Sequence, residues 1–154
     1  MTYRFRLISV QDVPILAHHR RQMFSDMGHA DHPNMEGMVA AFQSWAAGAI
    51  ERGYYTGFVA EHHGTVVAGL GLTFPEFPPR LQNVLTIRPY IFNIYTEPAH
   101  RRKGLARKLL EMALVLCRER GATLVALHAS ADGRALYESL GFKLNNEMIL
   151  QMET

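Results

Sequence analysis

Tyr90-Ile91-Phe92-Asn93-Ile94-Tyr95-Thr96-Glu97-Pro98-Ala99-His100-Arg101-Arg102-Lys103-Gly104-Leu105-Ala106-Arg107-Lys108 is the stretch from which the rest of the chain can be read. Its first six residues form an apolar strand. A short basic turn with a glycine follows, and then a long amphipathic helix begins. A strand that feeds a glycine turn at a helix N-terminus makes an anion site. Unpaired N–H groups converge there, the helix dipole adds partial positive charge, and glycine lets a phosphate approach the backbone. Arg101, Arg102, Lys103 and Arg107 crowd the same turn. The ligand this chemistry implies is a phosphorylated cofactor.

Working outward, Leu105, Leu109, Met112, Ala113 and Leu116 place one apolar stripe along a helix over residues 102–120, which Gly121 ends. Upstream, residues 3–9 read as a strand with Phe5 and Leu7 on one face. Ser9 or Asp12 caps a helix carrying Val13, Leu16, Ala17 and Phe24 at helical spacing. Residues 26–33 break that helix, and residues 35–51 form a second one, ended by Gly53. Residues 54–61 and 65–74 are strand-like around a hairpin turn at residues 62–64, and a stiff Pro-rich loop at residues 75–79 leads to the strand at 86–95. Downstream come a short buried strand at 124–127, a short helix at 133–140, and one or two closing strands in 142–150. Mixed helices and consecutive hairpin-type strands give the class α+β, or mixed α/β.

The 154 residues fit one domain with a full core, and 48% apolar with 19% charged residues is a globular composition. A net charge of +2 is clustered in one turn, whereas a nucleic-acid binder shows a broader basic face. The single Cys117 precludes an internal disulfide and fits a reducing compartment. No signal-peptide block follows Met1, and no apolar run nears the ~20 residues of a membrane span. The expected location is the cytoplasm, with neither membrane nor nucleic acid as a partner. Neither a P-loop nor a Gly-x-Gly-x-x-Gly fingerprint occurs, which removes two rival phosphate folds.

A second signal lies about thirty residues on, in Leu136-Tyr137-Glu138-Ser139-Leu140-Gly141-Phe142. Read alone it is a capped helix with a packed tyrosine. Together with Arg101-x-x-Gly104-x-Ala106 it resembles the GNAT superfamily of acetyl-CoA-dependent N-acetyltransferases. The resemblance covers residues 54 to the end well, and the first fifty by element order only. It implies a single GNAT-type acetyltransferase domain over residues 1–154, with a mostly antiparallel twisted sheet of six to seven strands and about four helices on both faces.

By the same resemblance, the co-substrate is acetyl-CoA, and its pyrophosphate would meet Arg101, Arg102, Lys103, Gly104, Leu105, Ala106 and Arg107. The pantetheine arm would lie along the strand edge at Ile94, Tyr95 and Thr96. A primary amine of a small molecule or peptide would attack the thioester directly, through a tetrahedral intermediate. Tyr137 matches the family's general acid, and a phenol of ordinary pKa ≈ 10 is protonated at neutral pH. Ser130 and Asp132 match positions that touch the cofactor arm. Dimers are common in the family, so a homodimer stays open. The alternative is a non-catalytic CoA sensor or protein-interaction module of the same fold.

The general base is open between Glu97, beside the expected reaction centre, and Glu76 in the Pro-rich loop. Asn93 and Tyr95 share a face under strict alternation and are candidates for acceptor contact. The eight histidines carry no metal pattern: the pairs His18-His19 and His62-His63 point apart, and His29 and His32 lack further ligands, so no metal is expected. His128 reads as a core histidine in preference to one beside the cofactor cleft, Cys117 as packing, and Met23, Met27, Met35 and Met38 as core or as a pliable acceptor wall.

Overall fold

The computed structural model describes residues 2–153. Among them one sheet runs in chain order: β1 (Arg4–Leu7), β2 (Tyr55–His62), β3 (Thr65–Thr73), β4 (Tyr90–Thr96) and β5 (Ala126–Leu127). The first four strands are antiparallel neighbours, and β5 runs parallel to β4. The helices are α1 (Val13–Phe24), α2 (Met35–Glu51), α3 (Leu105–Glu119) and α4 (Arg134–Ser139). Helices α1 and α2 cover one face of the sheet and α3 and α4 the other.

Local chemistry explains these elements. His63 and Gly64 both take positive φ, as a two-residue hairpin turn demands, and so join β2 to β3. Strand β3 is buried from its second residue to its last because helices cover both its faces. The stripe of α3 buries Leu105, Leu109, Leu110, Ala113 and Cys117 against Val67, Leu70 and Ile91. Each fully buried leucine there contributes roughly 2 kcal/mol of transfer free energy. Cys117 is a free, buried thiol, and burial pushes its pKa up to about 11, so it packs rather than reacts. Ser9 N–H and the Asp12 carboxylate close a capping box, and both Asp12 oxygens accept bonds from Arg6 at 2.8 Å. Arg6 also pairs with Glu61, which fastens β1 to β2 and to the start of α1.

Three expectations need correction. Among the described residues the sheet has five strands, not six or seven, although it is mostly antiparallel as expected, with one parallel pair. Residues 143–153 form no strand: Leu144, Met148, Ile149, Leu150 and Met152 all face solvent, and a strand exists only where a neighbour completes its ladder. The strand expected over 86–95 begins at Tyr90, since Pro75 and Pro79 hold the preceding segment as a loop pinned by the Glu76–Ile87 and Arg80–Asn83 bridges.

Candidate active site

Strand β4 is irregular at its centre. The β3–β4 register slips between Gly69 and Gly71, and opposite the slip Asn93 adopts φ +59°. That conformation is costly for a non-glycine residue. A buried hydrogen bond holds it, the Asn93 Nδ2 donating to the Leu16 carbonyl at 3.2 Å. Strand β5 pairs only with Tyr90 and Ile91 and then turns away. Past that point, among the described residues, no strand pairs with the β4 edge from Phe92 to Thr96, which leaves a wedge open on the α4 side. Ile94 packs toward α3, while Tyr95 turns to α1 and lies 5.0 Å, ring to ring, from His19.

At the end of the wedge stands the basic turn. Pro98–His100 form a single 3-10 turn, Arg102 takes φ +60°, and Gly104 takes φ +79° as the N-cap of α3. The first α3 bond runs from the Lys108 N–H to the Gly104 carbonyl at 3.0 Å, so the N–H groups just before it point out of the helix end. Nothing lies within 4 Å of the position a Gly104 Cβ would take. Arg102, Lys103 and Arg107 are exposed around this open space, and Arg107 donates to Ser139 Oγ at 2.7 Å, tying the turn to α4. An anion therefore finds free N–H groups, room and cations together. The Arg101 side chain leaves this group. It donates to the Thr96 carbonyl and to Asp26, each at 2.8 Å, and its guanidinium lies over the Tyr95 ring.

Tyr137 is 6% exposed on α4. Its ring covers Gly133, where a Cβ would stand 2.6 Å away. Burial raises the Tyr137 pKa, partly countered by its hydrogen bond to Ser130, so the phenol keeps its proton at neutral pH. Ser130 Oγ also accepts the Gly133 N–H at 3.1 Å, while Asp132 is exposed on the same turn. Tyr137 and Tyr90 border an open cavity of about 1010 Å³ between β5, α4 and the C-terminal segment. His128 is exposed near Tyr90, not a core histidine as its position after a buried strand suggested.

The α1 side of β4 was the part least visible in the sequence. His19 is fully buried, with its Nε2 3.2 Å from Glu97 Oε1 but aligned too poorly to bond. Burial lowers its pKa against the pull of Glu97, so His19 is neutral there. His18 is exposed, 3.7 Å from the same carboxylate oxygen, so this adjacent pair converges on Glu97 instead of pointing apart, and the His62 and His63 rings likewise lie only 4.0 Å from each other. Arg20 lies between the Phe24 and Phe42 rings, 5.1 and 5.3 Å from their centres, and donates to Asn93 Oδ1 at 3.4 Å. The helical row Leu16, His19, Arg20 was the available signal. Met35 and Met38 line a cavity of about 250 Å³ with Phe24, His29, His32 and Asn34. Glu76 stands apart from these groups, bridged to Ile87 in the loop. Among the described residues no three His, Cys, Asp or Glu side chains gather as a metal site. No helix there is long and apolar enough to cross a membrane.

Comparison with known proteins adds to this geometry. The family described as Acetyltransferase (GNAT) family matches residues 16–142. A solved GCN5-related N-acetyltransferase from Ralstonia eutropha is 32% identical, superposes with a TM-score of 0.93, and is covered over 99% of its length by 98% of this chain. A predicted acetyltransferase from Clostridium acetobutylicum, solved with acetyl-CoA, is 25% identical with a TM-score of 0.89, over 98% of this chain and 96% of that one. Human N-acetyltransferase 8 is 33% identical over 56% of this chain, a match that spans only 37% of the human protein.

Proposed function

The chain belongs to the GNAT acetyltransferase family, and on that premise we propose that it transfers the acetyl group of acetyl-CoA to a primary amine. The observation that carries this reading is the open wedge along β4, with the Gly104 turn at one end and protonated Tyr137 across it.

In this reading the outward N–H groups at the start of α3 receive the pyrophosphate, helped by Arg102, Lys103 and Arg107. The open space over Gly104 leaves room for that group, since nothing lies within 4 Å of where a Cβ would stand. Acetyl-CoA when bound supplies the activated acetyl carbon. The free edge of Ile94, Tyr95 and Thr96 pairs with the amide-rich arm, and a β4 N–H at Ile94 or Tyr95 polarises the carbonyl. Arg101 contributes through its backbone and by fixing the strand end. Ser130 orients Tyr137, and Asp132 borders the arm. As the C–N bond forms and the C–S bond breaks, Tyr137 gives its O–H proton to the departing sulfur. Glu97, on the opposite side of β4, takes the proton that the amine sheds.

The test is calorimetric binding of acetyl-CoA to the wild-type protein, followed by thiol release with a broad amine panel. Binding with turnover is expected. Absence of binding contradicts the reading. Tight binding with no turnover on any amine favours a CoA sensor.

A further inference from the structure

Two arginines on the α1 side of β4 are held by carboxylates. Asp26 holds Arg101, Glu36 holds Arg21, and Glu97 sits beside His18 and His19. Arg20, half-buried on this side, has no carboxylate against it. Its hydrogen-bond partner is the neutral Asn93 amide, the buried Tyr55 phenol also acts on its charge, and its two stacking partners are the Phe24 and Phe42 rings. Ring faces hold a guanidinium by its flat sides and leave its N–H edge open. Burial pulls the Arg20 pKa down, yet the group stays charged. A half-buried cation with an unmatched edge is costly unless something completes it.

The position of that edge matters. Asn93, to which it donates, is the bulged residue immediately before Ile94, where the proposed acetyl carbonyl lies. The donor wedge opens on the α4 side, so an acceptor reaches the same backbone from the α1 side and passes Arg20. Phe24, which stacks on Arg20, is also a wall of the 250 Å³ cavity formed with Met35 and Met38. Guanidinium, bulge and apolar cavity thus lie in sequence along one path.

We propose that the acceptor is an amine bearing a carboxylate, of α-amino-acid type, with Arg20 binding the carboxylate and the Phe24–Met35–Met38 cavity taking its side chain. This deepens the acetyltransferase reading and rests on it. Arg20 is a specificity residue whose N–H edge forms a bidentate pair with the substrate.

The experiment compares α-amino acids with their α-amides as acceptors, on wild type and Arg20→Met. The wild type is expected to use the acids with a kcat/KM at least about 10-fold higher than the amides, as loss of one charge-assisted pair implies. Arg20→Met should erase that ratio, mainly through KM for the acids, while acetyl-CoA affinity holds. If Arg20→Met fails to fold, the wild-type ratio decides alone. Should turnover be absent, thermal stabilisation of the CoA-saturated protein by N-acetyl amino acids over their amides replaces it, with the same expectation. Equal use of acids and amides, or an equal loss of both in Arg20→Met, overturns the proposal while leaving acetyl transfer intact. Failure to bind acetyl-CoA overturns the parent reading instead.

Discussion

The two sides of β4 handle charge in opposite ways. Toward α3 and α4, Arg102, Lys103 and Arg107 stand exposed around an open turn whose main donors are backbone N–H groups. Toward α1, side chains meet side chains: Asp26 with Arg101, Glu97 with buried His19, and Arg20 between two phenylalanines. A site made of backbone depends on conformation, so a few glycine and turn positions suffice to specify it. A site made of paired side chains depends on which residues occupy each helix position. The first arrangement suits a ligand common to many proteins, and the second suits a ligand particular to this one.

That contrast can be broken at several points. The largest effect is expected from Gly104→Phe, which forces a side chain into a left-handed position and into the anion's space. Its Kd for acetyl-CoA should rise roughly 100-fold by calorimetry, with every acceptor affected alike. An acceptor-dependent loss would erase the distinction between the two sides.

Next comes Tyr137→Phe. Removing a general acid should cut kcat about 100-fold while Kd for acetyl-CoA barely changes. Steady-state kinetics with unchanged kcat would remove Tyr137 from the chemistry. Glu97→Gln, across the strand, should lower kcat about 10-fold at neutral pH and recover with amines of lower pKa, which need less help to shed a proton. Uniform loss across amines of different pKa would count against a base at Glu97.

The smallest effect sharpens the buried side. His19 has its pKa lowered by burial, whereas in the unfolded chain it titrates near 6.5. The folded state thus binds fewer protons in that window. The stability is fully present above pH 6.5 and is lost as the pH falls toward the depressed folded value. Tm should fall on acidification below about pH 6.5, and His19→Leu should flatten that part of the curve. An unchanged slope in His19→Leu would place the acid sensitivity elsewhere.

The sequence revealed these regions unequally, for the same physical reason that separates them. Gly104, Tyr137 and the α3 stripe carry local signals: a helix start, a short motif and a 3.6-residue period. The structure has Gly104 in the left-handed cap and Ser130 bonded to Tyr137, as neighbouring turn residues can be. Arg101 was read as part of the basic cluster, but its side chain crosses to Asp26, 75 residues away, which no local pattern encodes. His19 beneath Glu97 and Arg20 against Asn93 are likewise long-range pairs. The closing strands expected in 142–150 failed for a related reason. Alternation shows that a segment can be a strand, while a ladder also needs a partner.

The central claim, that the Gly104 turn is the seat of the donor's pyrophosphate, is tested most directly by titrating acetyl-CoA into wild type and Gly104→Phe in a calorimeter. Saturable binding to the wild type and its loss in the folded variant are expected. Equal affinity in the two proteins, or no binding to the wild type, would contradict it.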